Sequence, residues 1–172
     1  YAPISQVRFG LPPYGSMKVE TVSRPSLQAG YGALDSAAGV AVLRSFSGQD
    51  LVSEAAVPAA EAATRWVMYA ETGSQVSTGV AIANPASTVA NVTLRLSDGR
   101  QATLQIPARG HRAAFVDQFF SDLQSFLGTL TIQSDVAVAV LALRGTDAGG
   151  RFIIATIPLS SKTPDAGGNM VF

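Results

Sequence analysis

The chain has 172 residues, 47% of them hydrophobic and 14% charged, with 12 Lys and Arg balancing 12 Asp and Glu. Zero formal net charge excludes a generic nucleic-acid binder, which needs a basic field to offset phosphate charge. The apolar content excludes an acidic disordered tail protein. Cysteine is absent, so no disulfide, thiolate metal site or cysteine nucleophile exists.

Short apolar or alternating runs, broken by Gly, Pro, Asp and Ser, read as an all-β protein. In chain order, strands are expected at 5–9, 16–22, 29–35, 38–46, 50–57, 64–71, 77–83, 89–97, 100–106, 111–115, 127–133, 135–144 and 151–158. Val92, Leu94 and Leu96 share one face of a strand, and Thr93, Arg95 and Ser97 the other. Asp98-Gly99 then predicts a tight hairpin into 100–106, with positive φ at both turn residues. A short helix is expected over 117–124, with Asp117 as its cap. Phe115, Phe119, Phe120 and Leu123 fall near helical spacing and read as a plug closing one end of a sandwich. The longest unbroken apolar run, Val136 to Leu143, is far below the about 20 residues of a membrane-spanning helix. It reads as a central strand covered on both sides, or as one at an interface.

An internal repeat is visible. Leu11-Pro12-Pro13-Tyr14-Gly15 matches Ile106-Pro107-Ala108-Arg109-Gly110. Gly30, Ser36, Val40, Ala41, Val42 and Leu43 recur as Gly128, Ser134, Val138, Ala139, Val140 and Leu141. Arg44 falls on Arg144, and Ala55-Ala56-Val57-Pro58 on Ala155-Thr156-Ile157-Pro158. Three blocks in one order predict two copies of one β unit. The expected division is a first unit over 1–63, a second and complete sandwich over 64–160, and a flexible tail over 161–172. The first unit lacks three strands that the second has at 64–71, 77–83 and 89–97.

These residues resemble tandem β-sandwich modules of secreted or cell-surface proteins from environmental bacteria, mostly of uncharacterised function. The likeness runs through Thr78-Gly79-Val80-Ala81-Ile82-Ala83-Asn84-Pro85, Ile106-Pro107-Ala108-Arg109-Gly110-His111, Gly128 to Ser134 and Leu141 to Arg144, with Gly39 to Arg44 and Glu54 to Pro58 in the first copy. It implies two consecutive Ig-like units and an extracellular or cell-surface location. It carries no catalytic residues over. In such proteins the first module opens with a strand pair ending in Asn-Pro, which has no counterpart in copy one. A start at Tyr1 rather than Met fits removal of an N-terminal piece, by signal-peptide cleavage or by other processing.

No enzyme chemistry is expected. His111 is the only histidine, and zinc wants three or four His, Cys or carboxylate ligands. Its counterpart in copy one is Ser16. No nucleophile elbow, phosphate loop, cofactor fingerprint or EF-hand alternation appears. Asp98, Asp117, Asp147 and Asp165 read as turn formers or caps, and Asp35, Glu54, Glu61 and Asp122 are scattered. Trp66, Tyr69, Tyr14 and Tyr31 offer a sugar platform, against which Trp66 and Met68 on one strand face read as core.

The expected role is a non-catalytic structural protein acting by self-association or contact with other surface proteins. Polysaccharide binding is the alternative. A sandwich missing strands exposes a groove that a neighbour's strand can fill. The expected donors are Ile4, Val7 and Phe9 at one end, and Met170, Val171 and Phe172 at the other.

Overall fold

A computed structural model of the chain describes residues 8–20, 30–34 and 38–161. Those residues are nearly all β, with ten strands and one four-residue helix. Strands β1 (Val40–Ser47) and β2 (Asp50–Pro58) form a separate antiparallel hairpin. The remaining elements are β3 (Ala63–Thr72), β4 (Val76–Ala83), β5 (Ala90–Leu96), β6 (Gln101–Ile106), β7 (His111–Phe115), α1 (Val116–Phe119), β8 (Phe126–Asp147), β9 (Phe152–Thr156) and β10 (Leu159–Ser160). Together β3 to β10 make one sheet folded over on itself, close to a barrel.

The fold turns on β8, which runs 22 residues without a break. Its first half pairs with β3 on one side and β5 on the other. Its second half pairs with β4 and β9. One strand therefore serves two layers: β10, β3, β5 and β6 flank its first half, and β7, β4 and β9 its second. Leu130, Ile132, Val138, Val140 and Ala142 all lie on the same face of β8 and are buried. Period-two geometry keeps them aligned as the strand bends around the core. The sequence predicts two strands here, 127–133 and 135–144, parted at Ser134. The chain continues because Asp135 is held from the side: its carboxylate accepts the Asn91 backbone N–H at 2.8 Å and Asn91 Nδ2 at 2.6 Å.

The apolar run 136–143 lies in the central strand β8, but it is not covered on both sides: Val138, Val140 and Ala142 are buried, while Ala137 is exposed and Ala139, Leu141 and Leu143 are half-buried. Opposite it, Ala90, Val92, Leu94 and Leu96 of β5 are buried, while Arg95 points to solvent. Trp66 and Met68 are core, Trp66 Nε1 donates to the Val138 carbonyl at 2.9 Å, and Tyr69 faces out. Val116, Phe120 and Leu123 close one end of the core. Among the described residues no helix is long and apolar enough to cross a membrane.

Several local expectations change. The β5–β6 hairpin exists, but Asp98 keeps a negative φ and only Gly99 is left-handed, at +97°. Gly99 N–H donates to the Leu96 carbonyl (3.0 Å) and Leu96 N–H to the Arg100 carbonyl (2.9 Å). This is a three-residue loop, a type I turn followed by a bulge, which matches strand twist as well as the two-residue form does. The helix covers 116–119 rather than 117–124. Phe115 occupies the cap position, with its N–H accepted by Gln118 Oε1 at 2.9 Å, and Asp117 lies in the first turn instead. Phe120 returns to extended backbone so that its ring enters the core.

The expected strands 5–9, 16–22 and 29–35 are not strands where described, at 8–9, 16–20 and 30–34. An alternating pattern becomes a strand only when a ladder partner is present, and none lies beside these segments among the described residues.

Candidate assembly site

The two Pro-x-x-Gly segments, 12–15 and 107–110, fold into the same turn. Gly15 N–H donates to the Pro12 carbonyl at 2.8 Å, and Gly110 N–H to the Pro107 carbonyl at 2.9 Å. The third residue is left-handed in both, with φ +62° at Tyr14 and +57° at Arg109. A Cβ on either glycine would sit 2.9 Å from the proline carbonyl, so the fourth position needs Gly. A left-handed non-glycine residue costs about 1–2 kcal/mol and persists where its surroundings hold it.

Around 107–110 those surroundings are plain. Asn84, fully buried at the end of β4, donates through Nδ2 to the carbonyls of Thr88 (2.8 Å), Ile106 (3.1 Å) and Pro107 (3.1 Å). Its backbone N–H donates to the Gly110 carbonyl at 2.9 Å, and its Oδ1 accepts the Ala86 N–H at 3.0 Å. Arg109 N–H reaches the Ala86 carbonyl at 3.1 Å, and its guanidinium donates to the Pro85 carbonyl. Asn84-Pro85 thus clamps the turn to the end of β4. The sequence alone assigns this pair no role; its available signal is a polar residue directly before a proline at the end of an apolar strand.

Around 12–15 no such clamp stands among the described residues. Tyr14 is fully exposed, and Leu11 is 42% exposed where the matching Ile106 is 1%. The contrast extends into the hairpin. Val40 is 64% exposed against 0% for Val138, and Val42 48% against 4% for Val140. Leu43, Phe46 and Leu51 are exposed as well. The buried apolar groups of the hairpin are Ala55 and Val57 of β2.

The hairpin docks on β9 through hydroxyls of both its strands and of Thr156. Ile154 N–H donates to Ser53 Oγ (2.9 Å), Ser45 Oγ to the Phe152 carbonyl (2.8 Å), and Thr156 Oγ1 to the Ala56 carbonyl (2.7 Å). The cross-strand pair Ser45 and Ser53 both turn to the Phe152 carbonyl, so the hairpin meets β9 without joining its ladder. The outer edge of β1 has no ladder partner among the described residues. The corresponding edge of β8 carries β4, from Val76↔Thr146 to Ala83↔Ala139, and β4 in turn carries β7.

Residues 16–20, which match β7, approach β1 through side chains. Glu20 lies 3.7 Å from Arg44, and Arg44 Nε donates to Glu54 at 2.7 Å. Lys18 lies 2.5 Å from Glu20. The Lys18 ammonium, with Arg44, holds the Glu20 carboxyl below its usual range, and Glu54 raises the Arg44 guanidinium further.

Of the expected donor residues, Phe9 is exposed in an irregular segment. Ile4, Val7, Met170, Val171 and Phe172 lie outside the described residues, as does Asp35. The catalytic candidates stay apart. His111 ends the β7 ladder and meets the Tyr31 ring edge-on at 6.1 Å, while Tyr31 Oη donates to the Arg109 carbonyl at 3.3 Å. Glu54 is taken by Arg44, and Asp122 lies 3.9 Å from Arg100. Glu71 accepts from Tyr69 (2.9 Å) and Arg144 (3.0 Å), which together hold its carboxyl below the usual range. Among the described residues no three His, Cys, Asp or Glu side chains cluster.

No family model and no curated protein matches the chain. A solved structure, "Crystal Structure of Thermotoga maritima 1070", is similar at 14% identity and a TM-score of 0.43, covering 58% of this chain and 91% of its own.

Proposed function

We propose that this is a non-catalytic structural protein of the cell exterior that acts through protein–protein contacts, as a filament subunit assembled by strand complementation. In this reading the chain is two consecutive Ig-like units, the first incomplete. One observation carries it: identical valines are buried at 138 and 140 and exposed at 40 and 42. Apolar side chains gathered on one hairpin, beside a strand edge that has no ladder partner among the described residues, favour a protein partner. Neutral, weakly charged composition suits a subunit whose surface is covered. If each subunit completes the next, the contact is head-to-tail and propagates into an open filament unless the rotation closes a ring.

The alternative is a glycan-binding or adhesive module resting on exposed Tyr14, Tyr31 and Tyr69. Its strongest aromatic, Trp66, is core, which leaves that platform without an indole. Sedimentation and electron microscopy of the purified chain, with a polysaccharide panel in parallel, separate the two. Concentration-dependent assembly without glycan binding is the expected result. A monomer at high concentration that binds a polysaccharide would replace this reading with the alternative.

A further inference from the structure

We propose that the outward face of the layer β7, β4, β8 and β9 is an isologous contact, through which two copies of this chain pair about a two-fold axis. This contact goes beyond the head-to-tail one of the assembly reading and stands on other residues. β8 shows the contrast within one strand. Along its first half the side chains turned from the core are Thr129, Thr131 and Gln133, as a sheet face in water requires. Along its second half they are Ala139, Leu141 and Leu143, which alternate with buried Val138, Val140 and Ala142. The neighbouring strands repeat the change. Leu141 lies beside Ala81 of β4, and Ala81 beside Ala113 of β7; Leu143 lies beside Gly79, and Gly79 beside Phe115. Among the described residues, the paired rows from Ala139 to Gly145 carry no Lys, Arg, Asp or Glu on this face. An apolar run with a half-buried outward side belongs at an interface.

The face is shaped to fit its own copy. At one end stand two rings. A Cβ on Gly79 would lie 3.5 Å from the Phe115 ring, and one on Gly145 would collide with the Phe152 ring. The two glycines let the rings lean over β4 and β8 until they meet edge to face, with centroids 6.4 Å apart. Both stay exposed, Phe115 at 37% and Phe152 at 44%. At the other end Ala81, Ala113 and Ala139 leave a low floor. A two-fold axis between the faces, crossing the strands at the level of Leu141 and Leu143, sets the rings of each copy over the alanines of the other. Uncharged faces on a chain of zero net charge meet without like-charge repulsion. Four strands about 4.8 Å apart, covered over about seven residues each, give roughly 450 Å² per copy. That is close to the roughly 500 Å² per partner at the lower limit of a stable interface.

The chain has no cysteine, so single cysteines report contacts cleanly. Leu141→Cys in the full chain, treated with a short bismaleimide, should give a covalent dimer, because a two-fold contact brings identical positions together and a head-to-tail contact does not. Thr131→Cys, on the polar outward face, should give at least tenfold less. Adding Ala81→Arg to Leu141→Cys should abolish the dimer, with thermal unfolding to check that the sandwich is intact and Ala113→Arg as the replacement if it is not. No dimer at Leu141→Cys, equal yields at both cysteines, or a dimer that survives the arginine in a folded protein would overturn the face. Filaments that form without the Leu141→Cys dimer would remove this contact alone and leave the head-to-tail reading standing.

Discussion

The Val40-Ala41-Val42-Leu43 strand and the Val138-Ala139-Val140-Leu141 strand have the same sequence and opposite fates. The second is the middle of β8, paired with β4 from Ala139 onward and with Ala63 of β3 at Val138, with the core beneath. The first belongs to a hairpin held to β9 by serine and threonine hydroxyls. Burial is thus a property of the strands that surround a segment as much as of the segment. Among the described residues no strand pairs with the other edge of β1, and no asparagine holds the left-handed turn at 12–15 as Asn84 holds that at 107–110.

Substitutions sharpen that contrast. Asn84→Ala should cost most, about 3 kcal/mol, because buried carbonyls lose their donor, read from urea unfolding. An effect under about 1 kcal/mol would show that the turn holds itself. Val138→Ala should cost about 2 kcal/mol from lost burial and a residual cavity. Val40→Ala should stay within about 0.5 kcal/mol in the dilute chain, as exposed sites do. Equal costs would erase the distinction between the regions. Ser53→Ala removes the acceptor for Ile154 N–H. A loss of about 1 kcal/mol is expected, seen as faster amide exchange at Ile154 with β5 unchanged.

The smallest effect is with pH. Asn91 side-chain and backbone donors hold the Asp135 carboxyl below its usual range. A depressed folded-state value means the contribution is present above the unfolded value near 3.9 and is lost as pH falls through the folded one. A slight loss of stability below about pH 4 is expected from this group, and Asn91→Ala should flatten it. An unchanged acid limb in that variant would remove the role given to Asp135.

Much of the larger sandwich was legible because its strands alternate cleanly and find partners. Thr93 and Arg95 outward, Leu94 and Leu96 inward, is a pattern the structure keeps. The turn type at Asp98-Gly99 was not legible, since both hairpin forms accept Gly and differ only in loop length. The continuity of β8 through Ser134 was hidden because the support comes from Asn91, 44 positions from Asp135, whose carboxylate it holds. The expected strands at 16–22 and 29–35 failed where described for the opposite reason: alternation in sequence does not supply a ladder partner. The assembly site was legible only in outline. The repeat exposed the missing strands, but the clamp required seeing that one Asn84 side chain reaches Ile106 and Pro107 together.

Amide hydrogen exchange along β1, in the dilute chain and again in the assembled state, tests the central claim most directly. Amides of 40–46 that face away from β2 should exchange rapidly when dilute and become protected on assembly, while those of β8 stay protected in both. Protection of the β1 edge already complete in the dilute monomer, or an edge that still exchanges freely in the assembled protein, would contradict the account.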